Sequence, residues 1–293
     1  MRPHTATDAK LTDSDLDGIR ALIEQRSAIL FDSSRERFFS TRVREYIEEQ
    51  GAASGTEILH RLRGSNAEYD ALLERLLTQE TSFFRYPAFF EALEKKILPA
   101  RQKKKTGEAA RTLRIWSAGC STGEEPYSIA IRLCEALKSV GAWDVEILAT
   151  DISRRALQHA ERGTYSERSL QALPAEYIES YFNPVKHGLQ VKPRIRKMIS
   201  FMQMNLAEPA YVGKIDCIFC MNVLMYFSKN RRFEILRHFY DALEPGGYFL
   251  LGHAETLADA PLQFEPVVYG DCRIYRKPTA VTNRPPVLAE TTR

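Results

Sequence analysis

The sequence predicts an α/β protein in which an all-helical N-terminal domain precedes a mostly parallel sheet. Between residues 13 and 98, apolar residues recur at helical spacing, and strand-like alternation is absent. Between residues 112 and 278, short apolar runs of strand length alternate with segments of helical periodicity. Such alternation favours a parallel sheet with helices on both faces.

The N-terminal domain is expected to span residues 13–98. Its apolar stripes include Leu16, Ile19, Leu22, Ile23, Leu72, Leu73 and Leu76. Residues 1–12 and 279–293 are expected to be disordered tails, and the polar, basic residues 99–111 are expected to form a solvated linker.

The second domain is expected to span residues 112–278. The expected strands are Leu113–Ala118, Val145–Thr150, Ser200–Met204, Asp216–Val223 and Tyr248–Gly252. The expected helices are Pro126–Val140, Ser153–Arg162 and Lys229–Leu243. The alternation breaks at about 164–199, which predicts a small inserted antiparallel β-subdomain. Phe264–Tyr275 carries a hairpin signal around Gly270-Asp271, so an antiparallel hairpin is expected to end the sheet.

Composition narrows the range of functions. The net charge of +3 does not favour nucleic-acid binding over the whole surface. Five scattered cysteines are typical of a reducing compartment. The N-terminus lacks the apolar region of a signal peptide, and no apolar run is long enough to span a membrane. We therefore expect a cytoplasmic protein that neither binds nucleic acid nor inserts into a membrane.

The segment Ile115–Ser128 is the first candidate ligand site, since it runs from a strand through a glycine turn into a helix. Gly119 and Gly123 allow a ligand to approach the backbone closely. Glu124 and Glu125 crowd the start of the helix, where a phosphate site would expose N–H groups. These carboxylates suit a cationic ligand such as S-adenosylmethionine, although they can also simply complement the helix dipole.

Two further strand ends are expected at the same edge of the sheet. Asp151 can accept hydrogen bonds from both hydroxyls of a ribose, and Ser153 is available to cap the following helix in its place. Asn222 and Val223 are expected to end another strand, with Asn222 near the methionine part of the cofactor. Tyr226 follows, and it can point into the cleft or pack in the core.

Cys217 and Cys220 form a C-x-x-C pattern inside an expected strand. Residues three apart in a strand point to opposite faces, and no second cysteine pair or histidine pair is near. We therefore expect two buried small residues and no metal site.

These segments, together with Gln79–Arg85, resemble the chemotaxis receptor methyltransferase family of the CheR type. The family shows N-x-T-x-F-F-R, W-S-A-G-C-S-T-G-E-E-P-Y-S, C-R-N-V-x-x-Y-F and G-H-S-E. The corresponding segments here are Thr81–Arg85, Trp116–Ser128, Cys220–Phe227 and Gly252–Glu255. A terminal antiparallel hairpin on a parallel sheet is also the shape of class I methyltransferases, which is the fold that the resemblance implies.

The resemblance implies a set of cofactor and substrate contacts. Arg85 and Tyr226 would lie near the transferred methyl group as the catalytic residues. Gln79 stands where the family often has Asn, so its contact is expected to be longer or lost, and Met221 replaces the usual Arg beside Asn222. The implied cofactor-binding residues are Gln79, Thr81, Arg85, Gly119, Glu124, Asp151, Asn205, Leu206, Asn222 and Val223.

The family methylates glutamate side chains on the cytoplasmic signalling helices of chemoreceptors. The products would be glutamyl methyl esters and S-adenosylhomocysteine. The resemblance therefore implies a protein-glutamate O-methyltransferase, and the helical domain would dock the receptor. The arginines at positions 35, 37, 42 and 44 would steer an acidic substrate helix toward the enzyme. The alternative is that they are ordinary exposed residues on a helix whose glutamates balance their charge. The candidate docking residues are Arg35, Arg37, Arg42 and Arg44.

Two other functions stay open at this point. One is a small-molecule methyltransferase on the same fold, and the other is a cofactor-sensing interaction module without catalysis. In this family the inserted β-subdomain can also bind a tethering peptide at a receptor's C-terminus. The loop Asn183–Gly188 is short and has one glycine, so we expect action that does not depend on the tether.

Overall fold

A computed structural model describes residues 11–104, 111–137, 143–253, 255–257, 260–270 and 272–279. The chain divides into two compact units. The first comprises Met1–Thr78 and Tyr226–Arg231, and the second comprises Gln79–Met225 and Arg232–Arg293. The segments 1–10 and 280–293, where tails are expected, lie outside the described residues, as does 105–110 of the expected linker.

The first unit is built on four α-helices, as expected for the N-terminal segment. They are α1 (Asp13–Ser27), α2 (Glu36–Glu49), α3 (Gly55–Gly64) and α4 (Asn66–Leu76), and a 3-10 turn at Ser33–Arg35 precedes α2. Thr12 begins α1 with a capping box: its hydroxyl accepts from the Asp15 N–H, and the Asp15 carboxylate accepts from the Thr12 N–H, both at 3.1 Å. An antiparallel bridge between Ile29 and Phe227 ties the segment 226–231 to this unit.

The second unit contains a seven-stranded sheet. Its strands are β1 (Thr112–Ala118), β2 (Asp144–Asp151), β6 (Ile199–Gln203), β7 (Ile215–Cys220), β8 (Leu243–Leu251), β9 (Glu265–Tyr269) and β10 (Cys272–Arg276). They lie in the order β6-β2-β1-β7-β8-β10-β9. The pairs along β6-β2-β1-β7-β8 are parallel, and β10 is antiparallel to both β8 and β9. This confirms the mostly parallel sheet with a terminal antiparallel hairpin.

Helices connect and flank the strands of this sheet. They are α5 (Pro87–Ala92), α6 (Leu98–Lys104), α7 (Glu124–Ala136), α8 (Arg154–Arg162), α9 (Ala175–Tyr181), α10 (Pro193–Arg196) and α11 (Lys229–Ala242). A π-helical segment at Leu93–Ile97 joins α5 to α6. The start of the expected linker is therefore helical, because α6 continues to Lys104.

The inserted β-subdomain is a separate three-stranded antiparallel sheet, as expected. It consists of β3 (Thr164–Tyr165), β4 (Phe182–Val185) and β5 (Gly188–Val191) in the order β3-β5-β4. Val185 pairs with Gly188, so β4 and β5 form a tight hairpin.

Among the boundaries that differ from the sequence expectations, two bear on the site. The expected domain boundary was residue 98, but the segment after Gln79 belongs to the second unit, because Phe83, Phe89 and Phe90 are buried in its core. The expected strand Asp216–Val223 is wrong at its end: β7 ends at Cys220. Asn222 has a φ of +59°, which is incompatible with continued strand geometry.

Cys217 and Cys220 are fully buried and unbridged, as expected for small core residues. Within the described ranges, no group of three or more His, Cys, Asp or Glu side chains could hold a metal ion. None of the described helices is long and apolar enough to cross a bilayer.

Candidate cofactor cleft and active site

The glycine turn after β1 is fastened to the end of β2. The N–H groups of Gly119 and Cys120 both donate to the Thr150 carbonyl, at 2.8 and 2.9 Å. Gly119 has a φ of +80°, and a Cβ at this position would lie 2.4 Å from Cγ2 of Val223. The position therefore requires glycine for its backbone conformation and for the close approach of Val223.

Gly119→Ala is expected to weaken S-adenosylmethionine binding at least tenfold and to lower the melting temperature. The added methyl group must displace Val223, and alanine is strained at a positive φ. Isothermal calorimetry and thermal unfolding measure the two effects. Gly64→Ala is the matched control, because a Cβ there meets nothing within 4 Å. Equal cofactor affinity in the two variants would refute a role for this turn in binding.

Asp151, the last residue of β2, is held by two backbone donors. Its Oδ2 accepts from the Ser121 N–H and its Oδ1 accepts from the Ser153 N–H, each at 2.8 Å. Ser153 caps α8 by accepting from the Ala156 N–H at 2.9 Å, so Asp151 is not the side chain that caps this helix. Gln79 donates from Nε2 to the Ser153 hydroxyl at 3.0 Å, which places Gln79 beside this strand end.

Asn205 and Leu206 follow β6, the neighbour of β2 in the sheet. The Met204 N–H donates to the Asp151 carbonyl at 2.9 Å, so the turn after β6 lies against the end of β2. The side-chain amide of Asn205 forms hydrogen bonds within this turn. Its oxygen accepts from the Ala207 N–H at 3.1 Å, and its nitrogen donates to the Glu208 carboxylate at 3.2 Å. Leu206 is buried and provides an apolar surface at this place.

The two glutamates at the start of α7 sit in different polar settings. Glu124 is buried and accepts from the Thr122 hydroxyl at 2.7 Å, and burial raises the pKa of its carboxyl. Glu125 accepts from the Ser117 hydroxyl at 2.6 Å. Burial raises the pKa of Glu125 to about 7, although the Ser117 hydrogen bond and the charge of Arg85 act to lower it. From the sequence, Glu125 was paired with Glu124 as a carboxylate that suits a cationic ligand, but it was not among the implied cofactor-binding residues.

Glu125→Gln is expected to stabilise the protein at pH 8 but not at pH 5. A carboxyl whose pKa is about 7 when folded and 4.5 when unfolded binds its proton more tightly in the folded state. Stability therefore falls as pH rises from 4.5 to about 7, by up to about 3 kcal/mol, and stays reduced above that range. Glutamine removes this loss and can still accept the Ser117 hydrogen bond.

Denaturant unfolding at the two pH values measures this difference in stability. Glu176→Gln, on α9, serves as the control and should change stability equally at both. If the free energies of unfolding of Glu125→Gln and wild type differed by the same amount at both pH values, the raised pKa of Glu125 would be contradicted.

The loop after β7 is organised by Glu255, a residue to which sequence analysis assigned no role. Its Oε2 accepts from the N–H groups of Asn222 and Gly252, at 2.9 and 3.0 Å, and its Oε1 accepts from the Met225 N–H at 3.2 Å. Burial raises the pKa of Glu255, while these backbone hydrogen bonds favour its ionised form. The sequence signal was the G-H-A-E string, which carried no mechanism by itself.

Two buried polar atoms at this edge lack a partner among the described residues. They are Oδ1 of Asn222 and the hydroxyl oxygen of Ser121. Buried polar groups are nearly always paired, so we expect a bound ligand or water to supply the missing hydrogen bonds. Together with the acidic side chains of Glu124 and Asp151, they fit a ligand that carries hydroxyl and ammonium donors. The residues present therefore fit S-adenosylmethionine.

The segment containing Thr81 and Arg85 begins the second unit. Thr81 is half-buried, and the Phe84 N–H donates to the Ser128 hydroxyl on α7 at 2.9 Å, which fixes the segment. Arg85 donates from Nη1 to the Glu80 carbonyl at 2.7 Å, and its Nη2 lies 3.2 Å from the Glu80 carboxylate. Its guanidinium also lies 5.3 Å from the ring centre of Tyr86. Arg85 is 31% exposed, so its donors remain accessible to a substrate.

Tyr226 belongs by its contacts to the helical unit. Its carbonyl accepts from the Leu30 N–H at 2.7 Å, and the Arg35 guanidinium lies 5.1 Å from its ring centre. Arg35 also stacks on Phe31 at 4.6 Å and on Phe38 at 5.5 Å, and burial lowers its pKa. Arg35 is thus a half-buried residue packed among aromatic rings, including that of Tyr226.

The other three predicted docking arginines differ in their surroundings. Arg42 pairs with Glu45 at 2.8 Å and lies 5.6 Å from the Phe38 ring centre. The side chains of Arg37 and Arg44 are exposed and form no hydrogen bond or ion pair with the described residues. Because residues seven apart share a helix face, Arg37 and Arg44 form one exposed basic surface on α2.

Comparison with known proteins identifies the family. The family described as "CheR methyltransferase, SAM binding domain" matches residues 79–270. "Chemotaxis protein methyltransferase 2" of Vibrio cholerae is 36% identical over 254 residues, covering 85% of this chain and 87% of that protein. "Chemotaxis protein methyltransferase 1" of Pseudomonas aeruginosa is 34% identical over 271 residues, covering 90% and 98%. The chain therefore belongs to the CheR methyltransferase family, with an S-adenosylmethionine-binding domain at residues 79–270.

Proposed function

We propose that this protein methylates glutamate side chains of chemoreceptors, giving glutamyl methyl esters and S-adenosylhomocysteine. The observation that carries the proposal is an acidic cleft edge in a CheR-family domain, with an accessible arginine on the segment fixed to α7. The relatives named chemotaxis protein methyltransferases support chemoreceptors as the substrate class. Family membership also argues against a small-molecule acceptor, the alternative that the sequence alone left open.

The proposed cofactor contacts follow from the chemistry of each side chain. Asp151 would accept from the ribose hydroxyls, and Glu124 would face positive charge. Leu206 and Asn205 would flank the adenine, and the unpaired Asn222 oxygen would accept from the ammonium group. When bound, S-adenosylmethionine supplies an activated methyl group. The remaining proposed contacts are Gln79, Thr81, Arg85, Gly119 and Val223.

The substrate carboxylate needs orientation more than activation. A glutamate side chain has an ordinary pKa near 4.3, so it is ionised at neutral pH and needs no general base. Arg85 would hold this carboxylate in line with the methyl group, an alignment that can contribute most of the rate enhancement. Tyr226 is proposed to donate one hydrogen bond to the same carboxylate. If Arg85 and Tyr226 bound the carboxylate equally tightly before and during the reaction, they would stabilise the bound substrate as much as the transition state. The orientation of the carboxylate therefore matters more than the affinity for it.

The helical unit is proposed to dock the receptor. Arg37 and Arg44 are the best placed of the four predicted residues, because both are exposed on one face of α2. Arg42 would contribute at the edge of this surface. Arg35 would act indirectly, through its packing against Tyr226. Basic side chains of this kind steer an acidic helix toward the enzyme.

The experiment that tests the proposal is a methyl-transfer assay with labelled S-adenosylmethionine. Receptor-containing membranes and a membrane-free extract are incubated separately with the purified protein. We expect label on a receptor band that is released as methanol by mild base, as a carboxyl methyl ester would be. Base-stable label, or label only in small molecules, would contradict glutamate methylation. Tight cofactor binding without any transfer would instead indicate a sensing module.

Transfer is expected to be independent of the receptor's C-terminal residues. The hairpin of β4 and β5 closes directly after Val185, so a tethering peptide has little loop to contact. Methylation rates of an intact receptor and of one truncated after its signalling helices should agree within twofold. A loss of tenfold or more on truncation would show that the β-subdomain binds the tether.

A further inference from the structure

We propose that a polar pocket beside the active-site segment binds a second carboxylate of the substrate helix, one helical turn from the glutamate that is methylated. The inference rests on the proposed function and deepens it, since it names a specificity site for the acidic substrate. The pocket is called the His253 pocket here.

The His253 pocket lies at the carboxyl end of β8, against the start of β10, and has a volume of about 350 Å³. This is large enough for an acidic side chain with its bound water. It lies entirely within the second unit. Its lining includes Phe89, Gly252, His253, Glu255, Thr256 and Arg273.

The pocket adjoins the residues proposed to handle the cofactor and the substrate. Gly252 packs so closely on Asn222 that a Cβ would lie 2.9 Å from the Asn222 nitrogen. On the other side, the Tyr86 ring lies 4.6 Å from the His253 ring centre, while the Arg85 guanidinium lies 5.3 Å from the Tyr86 ring centre. Arg85, Tyr86 and His253 therefore form a continuous row that leads from the active-site segment to the pocket.

The side chains that line the pocket offer hydrogen-bond donors to an anion. The side chain of Arg273 is exposed and forms no hydrogen bond or ion pair with the described residues. His253 contacts the rings of Tyr86 and Phe89, and its nitrogens form no hydrogen bond with those residues. The acidic member of the lining, Glu255, already accepts three backbone N–H groups. The donors that remain available are therefore those of Arg273 and His253.

The spacing of a substrate helix matches such a second site. On one helix face, residues three or four apart have Cβ atoms about 5–6 Å apart. The Tyr86 contacts put the His253 ring within about 10 Å of the Arg85 guanidinium. Two glutamate side chains that diverge from neighbouring positions on one helix face can span this distance. Arginine binds carboxylates in a bidentate geometry, so Arg273 would select acidic side chains and set the register of the helix.

The test compares Arg273→Ala with Arg237→Ala, which removes the same charge from an exposed position on α11. Each variant is assayed on a receptor and on the same receptor with the acidic residue one turn from the methylated glutamate changed to alanine. We expect Arg273→Ala to raise KM for the intact receptor about tenfold, with kcat and cofactor affinity changed less than twofold. With the altered receptor as substrate, the KM of the wild-type protein should rise about tenfold. The KM of Arg273→Ala should be the same for both receptors.

Several outcomes would overturn the inference. One is an equal receptor KM for Arg273→Ala and Arg237→Ala; another is that Arg273→Ala still discriminates between the two receptors. His253→Phe keeps a ring against Tyr86 and Phe89 but removes the N–H donor, so it provides a second probe of the pocket and should also raise KM. Cofactor affinity measured for each variant reports whether the cleft is folded. If wild-type protein transfers no methyl group to either receptor, the proposed function fails, which is a different result.

Discussion

Asp151→Ala is expected to weaken S-adenosylmethionine binding by about 100-fold or more. The carboxylate is proposed to accept hydrogen bonds from two ribose hydroxyls, and hydrogen bonds to charged groups contribute about 1.5–3 kcal/mol each. In the wild-type protein, the N–H groups of Ser121 and Ser153 donate to Asp151 and hold the glycine turn and the start of α8 near the end of β2. The substitution leaves both groups without this acceptor. Calorimetric titration with S-adenosylhomocysteine measures the loss without turnover.

Two further variants separate binding from folding. Asp151→Asn keeps a side-chain oxygen for one of the backbone donors and should retain a melting temperature near that of wild type, while affinity still falls at least tenfold. Asp144→Ala removes an exposed acid at the opposite end of the same strand and should leave affinity unchanged. Unaltered affinity in Asp151→Ala would show that the ribose assignment is wrong.

Arg85→Ala is expected to lower kcat by 100-fold or more while cofactor affinity falls less than fivefold. In the proposed role, Arg85 aligns the substrate carboxylate, and misplacing a reacting group by about 1 Å can reduce the rate 100-fold. Its present partners are the carbonyl and the carboxylate of Glu80. The substrate carboxylate would replace the exposed Glu80 side chain as the partner of the guanidinium.

Arg85→Lys tests whether charge alone is sufficient. Lysine retains the positive charge but not the planar pair of donors, so its kcat should remain at least tenfold below that of wild type. Glu80→Gln removes the competing carboxylate and should not lower kcat. Steady-state assays with saturating receptor measure kcat, and calorimetry measures cofactor affinity. Equal losses of kcat and cofactor affinity in Arg85→Ala would mark Arg85 as a cofactor contact only.

Features that depend on local sequence were predictable from the residues. The glycine turn, the acid at the end of β2 and the cap at Ser153 each follow from a short pattern that has a physical reason. Parallel strands bring their carboxyl ends to one edge, so Gly119, Asp151 and Asn222 could be placed together before their contacts were known. The terminal hairpin followed from the Gly270 signal between two short apolar runs.

Features that depend on tertiary contacts were not predictable in this way. Glu255 organises the loop after β7 through three backbone N–H groups, and no pattern in G-H-A-E indicates those partners. Arg35 looked like its neighbours Arg37 and Arg44, but it packs on three aromatic rings, one of which is distant in sequence. The end of β7 was misplaced because the apolar run continues past Cys220, while the backbone of Asn222 turns left-handed.

A crystal structure of the protein with S-adenosylhomocysteine tests the central claim most directly. We expect the nucleoside to lie along the carboxyl edge of β1, β2, β6 and β7, with both ribose hydroxyls on the Asp151 carboxylate and the adenine against Leu206. The Asn222 oxygen should accept from the ammonium group. A ligand bound elsewhere, with Asp151 touching only the backbone of Ser121 and Ser153, would contradict the claim.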